Sequence, residues 1–209
     1  KNAILLILSL IFYAWGEPKI VLIMIASILA GYVSGLLIEA FRRKKTAKIV
    51  MIVSVVLQLG CLVYFKYMDF FIDNFNKVFG TEIPLLKIAL PVGISFYTFQ
   101  ILSYTVDIYR GEKAQKNPIN LATYIAMFPQ LIAGPIVRYK DVCDQLESRK
   151  ETVAKFASGV SRFVTGLAKK LILGDSAAAV AEAIERSFDF ESTVVGTWLI
   201  MIFYTFHIY

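Results

Sequence analysis

The chain of 209 residues contains one histidine, His207, and two cysteines, Cys61 and Cys143. A single imidazole cannot build a histidine-rich metal site. The cysteines, one inside an apolar run and one in a polar connector, match neither a disulfide framework nor a metal-ligand spacing, so no metal site is expected. Charge is scarce too: 18% of residues are charged and 57% hydrophobic, with a mean hydropathy of +0.64. That composition excludes an ordinary soluble domain. The formal net charge of +6 does not point to nucleic acid, because the basic residues flank apolar runs instead of forming one basic surface. There is no internal repeat and no low-complexity segment.

What remains is a series of long apolar runs separated by short charged clusters, the pattern of an all-α, polytopic integral membrane protein. Residues 3–15 form a short apolar helix that Gly16, Glu17 and Pro18 bring to a stop, without the cleavage pattern of a signal peptide. Residues 20–41 are long enough, at about 1.5 Å per residue, to cross a hydrocarbon core of about 30 Å. Within them Gly31 and Gly35 give a small-residue face for close helix contact. Arg42, Arg43, Lys44, Lys45 and Lys48 then form a basic cluster that the positive-inside rule places in the cytoplasm. Residues 49–65 return across the membrane. Residues 66–86 read as an outer connector carrying a helix that lies in the interface, through Phe70, Phe71, Phe75 and Phe79.

Two later runs are apolar but interrupted. Residues 88–108 carry Pro91, Gly93, Ser95, Tyr97, Thr98, Gln100, Ser103, Tyr104 and Asp107, too many polar groups for a lipid-facing helix. These polar side chains suit helix–helix contacts, and Asp107 and Arg110, three apart, suit an ion pair at the helix end. Residues 119–137 contain Pro129 and Pro135, which make a straight span untenable and predict a broken or re-entrant segment. Residues 153–173 place Phe156, Val160, Phe163, Leu167 and Leu171 on one helix face and Lys155, Arg162 and Lys169 on another, the mark of a basic amphipathic helix at the membrane surface. An alanine-rich helix over residues 175–186 follows, and Ser192 or Thr193 is positioned to cap a last span over residues 194–209. The simplest organisation is a single domain over residues 1–209. Because the chain opens on Lys1 and closes on Tyr209 within apolar sequence, that domain is expected to be truncated at both ends.

Four local patterns carry a resemblance. They are Phe12-Tyr13-Ala14-Trp15-Gly16-Glu17-Pro18; Leu90-Pro91-Val92-Gly93-Ile94-Ser95-Phe96-Tyr97-Thr98-Phe99-Gln100; Phe128-Pro129-Gln130-Leu131-Ile132-Ala133-Gly134-Pro135-Ile136-Val137-Arg138; and Gly166-Leu167-Ala168-Lys169-Lys170-Leu171-Ile172-Leu173-Gly174-Asp175. In this order the chain resembles the membrane-bound O-acyltransferase family, in its bacterial alginate O-acetyltransferase branch. The resemblance implies a multi-pass protein of the bacterial inner membrane that transfers acetyl to hydroxyls of an extracytoplasmic polysaccharide such as alginate. The acetyl donor, acetyl-coenzyme A or another acyl carrier, would be a co-substrate and not a tightly bound cofactor. The implied partners are the lipid bilayer, the donor, and the polysaccharide or a periplasmic or extracellular acetyl-transfer protein. A D-alanyl-transferring branch of the family and a transporter with broken helices are the alternatives.

A sugar hydroxyl is a poor nucleophile near pH 7, so the chemistry calls for a base, and a neutral imidazole serves. In the family that histidine follows a Phe-Asp-Phe-Ser-Gly-Tyr motif, which would lie beyond residue 209; His207 reads instead as a helix-end residue packed among Tyr204, Phe206 and Tyr209. The expected substrate path is lined by Tyr97, Gln100, Pro129, Gln130, Gly134 and Pro135, with Arg138 at its mouth. Lys169 and Lys170 are expected at the membrane surface or against the donor. If residues 42–48 are cytoplasmic, cysteines introduced there are shielded from an impermeant thiol reagent in intact cells; ready labelling from outside contradicts the orientation.

Overall fold

The computed structural model describes residues 1–16, 18, 20–131, 137–187 and 194–208, and among them it is helical with no strand. The chain divides into two compact units, Lys1–Arg149 and Lys150–Tyr209.

The first unit holds α1 (Asn2–Gly16), α2 (Val21–Ala40), α3 (Lys45–Phe79), α4 (Ile94–Arg110), α5 (Pro118–Ala126), α6 (Phe128–Leu131) and α7 (Tyr139–Glu147). Among the described residues, α2 and α3 are long and apolar enough to cross a membrane. Only 33% and 17% of their most apolar windows are buried within the protein. A soluble core helix hides its apolar side chains, whereas these expose Leu22, Leu29, Val33, Val53 and Val56. Such a surface marks association with a membrane.

Helix α3 departs from expectation. Residues 66–79 do not leave the span to form a separate surface helix but continue it, and the helix ends at Gly80 in the left-handed conformation, φ 64°. No glycine or proline lies between Gly60 and Gly80 to interrupt the ladder. Asp73 and Lys77, one turn apart and 2.5 Å from each other, support it. Its 35 residues run about 52 Å, well beyond a hydrocarbon core. At its other end the basic loop is shorter than expected, since Lys45 and Lys48 already belong to α3.

Helix α4 starts six residues later than expected, at Ile94. The cause is Gly93, whose φ of 74° favours glycine; a Cβ there would also lie 2.8 Å from the Leu131 carbonyl oxygen. Further along, α2 and α4 meet through Gly31 and Gly35. A Cβ on Gly31 would come within 2.6 Å of Ile101 Cγ2, and one on Gly35 within 2.7 Å of the Tyr104 hydroxyl. Only hydrogen at these two positions permits the approach. The ion pair expected between Asp107 and Arg110 is not formed: Asp107 turns inward, its Oδ2 buried, while Arg110 stays exposed. Arg42 takes over the end of α4, donating to the carbonyls of Ile108, at 3.4 Å, and Glu112. The C-termini of α2 and α4 and the N-terminus of α3 thus lie together.

Helices α5, α6 and α7 form a broken hairpin. Asn117 caps α5 by accepting from the Ile119 N–H at 3.0 Å, with Pro118 in the first turn. The helix opens at Met127, φ −59° and ψ 113°, because Pro129 has no N–H with which to continue it. Asn2 Nδ2 donates both to Asn120 Oδ1 and to the Leu146 carbonyl, each at 2.7 Å. The start of α5 and the end of α7 therefore meet at the start of α1, so the hairpin enters and leaves at one end. Its tip reaches the opposite end of α1, where Phe128 packs 5.4 Å from Phe12.

In the second unit, α8 (Val153–Lys169) is capped by Thr152, which accepts from the Lys155 N–H at 3.2 Å. The helix does not run uniformly to residue 173; it passes into a π-helical turn, Lys170–Gly174, before α9 (Asp175–Ser187). Helix α10 (Val194–Ile208) packs along α9, and no residue of α8 is buried. Ser192 and Thr193, the expected caps, lie outside the described residues.

Because α2 and α4 meet through hydrogen alone, Gly31→Val or Gly35→Val should each destabilise the purified protein by about 1–3 kcal/mol. Gly60→Val, where a Cβ meets nothing within 4 Å, should leave stability unchanged or slightly higher, since valine has the better helix propensity. Equal melting temperatures for the three variants contradict this packing.

Candidate functional site: the α4 flank and the broken hairpin

Helix α4 turns Tyr97, Ile101, Tyr104 and Ile108 inward, all 0% exposed. Gln100 and Asp107 sit seven residues apart on one flank of the same helix, as the 3.6-residue period requires. Tyr97 Oη, Gln100 Oε1 and Asp107 Oδ2 are buried without a hydrogen-bond partner. Each such group costs about 1–3 kcal/mol when left unpaired. Helix α4 lies against α5 and α7, the two arms of the hairpin.

A tyrosine cluster joins the two elements. Tyr139, the first residue of α7, packs edge-on against Tyr104 at 5.1 Å and against Tyr124 at 5.5 Å between ring centroids. Gln115, in the connector between α4 and α5, is 3% exposed and ties the cluster together. Its backbone N–H donates to the Tyr104 hydroxyl at 3.1 Å and its side chain to the Tyr139 hydroxyl at 2.8 Å. Its Oε1 accepts from the Asn117 N–H at 3.0 Å. The Tyr139 hydroxyl thus serves as a neutral hydrogen-bonding group.

The hairpin tip is held from inside. Tyr124 donates its hydroxyl proton to the Val137 carbonyl at 2.6 Å, fixing the chain just before Arg138. Gln130 donates its side-chain amide to the Tyr124 carbonyl, one of the acceptors released where α5 ends. Gln130 therefore already has a structural partner. Pro129 and Arg138 are exposed, Arg138 at the N-cap of α7. Gly134 and Pro135 lie outside the described residues. Of the expected path residues, then, Tyr97 and Gln100 share the buried face of α4, Pro129 and Gln130 share the tip, and Arg138 stands at the surface. None of them lines the cleft of about 470 Å³ at the open end of the hairpin, formed by residues 1–3, 117, 119–120 and 146–149.

In the second unit Lys169 ends α8 and Lys170 pairs with Asp175 at 2.7 Å. His207 Nδ1 lies 3.2 Å from the Gly174 carbonyl oxygen. A carbonyl only accepts, so Nδ1 carries the proton and Nε2 is the nitrogen left open. The ring is exposed and sits 6.2 Å from that of Tyr204. Among the described residues no cluster of three or more His, Cys, Asp or Glu side chains is arranged for a metal.

Gln115, Tyr124 and Tyr139 were not singled out by the sequence. Gln115 stands in a polar connector with no period to mark it, and the two tyrosines look like ordinary apolar-face residues. The pair Asn117-Pro118, a capping residue followed by proline at the first helical position, is a signal that could have marked the end of the connector as ordered.

Comparison with known proteins gives the class. Over its whole length the chain is 41% identical to a probable alginate O-acetylase of Pseudomonas aeruginosa and 38% identical to the one of Pseudomonas putida. Over 98% of its length it is 27% identical to a peptidoglycan O-acetyltransferase of Helicobacter pylori. The chain is thus similar over its whole length to probable alginate O-acetylases, the kind of protein its motifs resemble. It spans 41%, 44% and 44% of the lengths of these three proteins. No family model and no solved structure matches it.

Since Gln130 and Tyr124 secure the tip through one hydrogen bond each, Gln130→Leu and Tyr124→Phe should each lower stability by about 1 kcal/mol. Both should also speed tryptic cleavage at the exposed Arg138; unchanged cleavage in both variants contradicts the tethering.

Proposed function

We propose that this chain contributes to a multi-pass O-acetyltransferase of the bacterial inner membrane, which moves acetyl from a carrier to hydroxyls of an extracytoplasmic polysaccharide. The observation that carries this reading is the 41% identity, over the entire chain, to a probable alginate O-acetylase. The match to a peptidoglycan O-acetyltransferase supports acetyl transfer to a glycan without fixing which one. The acetyl donor, acetyl-coenzyme A or another acyl carrier, is a transient co-substrate in this account. The acceptor is the polysaccharide itself or a protein that relays acetyl to it.

In this reading residues 1–209 belong to one membrane domain in which α2, α3 and α4 cross the bilayer, with Arg42 on the cytoplasmic side. The hairpin over residues 118–147 then dips into the membrane from the cytoplasm and returns. Broken backbone at that depth needs protein or water partners, and the hydrogen bonds of Gln130 and Tyr124 supply some of them. Tyr97, Gln100 and the tip residues line the reaction path, with Arg138 at its polar mouth. Helix α8 lies in the interface, its apolar face exposing Phe156, Phe163 and Leu167, and Lys169 and Lys170 stand near anionic headgroups or the donor. His207, turned to the Gly174 carbonyl, orients α10 and is not the base.

Deletion of the gene should remove O-acetyl groups from the surface polysaccharide, and unchanged acetylation overturns the function. At equal membrane abundance, Gln100→Leu separates a path role from a packing role. As an apolar near-isostere it relieves an unpartnered buried oxygen, so stability should be equal or higher. Acetylation should nevertheless fall by on the order of tenfold to a hundredfold if Gln100 bonds a substrate group. Arg138→Ala should also weaken transfer, and Arg138→Lys should not restore a planar, bidentate contact. Near-normal acetylation by both Gln100→Leu and Arg138→Ala overturns the path.

A further inference from the structure

Helices α1 and α2 touch little along their length, and between them runs a groove of about 220 Å³ floored by α5. Leu6 and Leu10 form one wall, Ile28 and Leu29 the other, and Ala122 lies in the floor. Its walls on α2 extend from Ile25 to Tyr32, about 10 Å at 1.5 Å per residue. No charged side chain lines it. The one polar atom in the lining, the Tyr32 hydroxyl, donates to the Lys116 carbonyl at 2.7 Å and so leaves the groove apolar. The same bond brings the connector between α4 and α5 to the groove. Around that connector Arg110, Lys113 and Lys116 are exposed, against Glu112 within it and Glu147, whose Oε1 lies 3.4 Å from Gln115 Nε2. Among the described residues, none of these three cations is ion-paired.

A narrow apolar slot with uncompensated cations beside it fits an amphiphile with an anionic head. We propose that the groove holds one acyl chain of an anionic phospholipid, whose phosphate is met by Lys116. The site rests on the membrane reading above and adds a specific lipid partner to it. A chain moving from bulk lipid into the groove gains little from hydrophobicity, because lipid tails are themselves apolar. Selectivity among lipids must then come from the head, where one cation near a phosphate is worth about a fivefold preference. The lipid would also fill the space between α1 and α2, completing their packing.

The test uses the full-length protein in mild detergent, titrated with phosphatidylglycerol or phosphatidylcholine and read by native mass spectrometry. The wild type should bind one phosphatidylglycerol about fivefold more tightly than phosphatidylcholine. Lys116→Gln, a surface change that leaves the core intact, should bring the two lipids to near-equal binding. Ala122→Phe, which fills the floor, should lose both while keeping a normal melting temperature in detergent. Inorganic phosphate at millimolar concentration should not displace the lipid, since it lacks the chain. A wild type without headgroup preference, or a preference that survives Lys116→Gln, overturns the site, as does displacement by phosphate alone. Alkaline carbonate extraction of membranes separates this failure from that of the membrane reading: protein that stays in the pellet yet shows no preference overturns the lipid site alone, whereas protein released from the pellet overturns both.

Discussion

The approach of α2 to α4 through Gly31 and Gly35 is the contact on which the first unit depends. Without a Cβ on Gly35, the Tyr104 ring can lie against α2 with its hydroxyl turned to the Gln115 N–H. Gln115 in turn donates to Tyr139, and Tyr139 leans on Tyr124, which holds the Val137 carbonyl. Two missing methyl groups thus set the position of a hairpin tip that belongs to other helices. A residue with a side chain at either glycine would push α4 outward and unseat each of these hydrogen bonds in turn.

The hairpin illustrates how a chain can break helix in an apolar setting. Pro129 ends the ladder; Gln130 takes up a carbonyl released where α5 stops, and Tyr124 holds the Val137 carbonyl thirteen residues on. The same economy operates at the end of α4, where Arg42 receives two carbonyls. By contrast Tyr97, Gln100 and Asp107 on α4 keep buried atoms without partners, as Ser54 and Gln58 do on α3. Native interiors keep few such groups, and those that persist mark places where something other than folding stability is at stake.

Much of this arrangement was legible in the sequence. Glycines four apart announced a close helix contact on α2, though not its partner, and the prolines of residues 119–137 announced the break. The basic run after α2 marked a loop, although Lys45 and Lys48 turned out to open α3. Boundaries set by backbone conformation were less readable. The start of α4 depended on a glycine at φ 74° packed on Leu131, a contact between residues far apart in the chain. The continuity of α3 past Phe65 was missed because mixed charge and aromatics resemble a surface helix, while the absence of any breaker mattered more. Gln130 has a backbone partner six residues away, a bond no spacing rule reveals. The motifs did point to the kind of protein that the chain is similar to.

The central claim is that the segment from α5 to α7 enters and leaves the membrane at one side. It is tested most directly by single cysteines at Lys116 and Arg149, placed in the full-length protein with Cys61 and Cys143 replaced by serine. Both should react with an impermeant thiol reagent only when the cytoplasmic face is opened, and both at the same step. Labelling of the two positions from opposite sides would make residues 118–147 a crossing and not a hairpin, and would contradict the account.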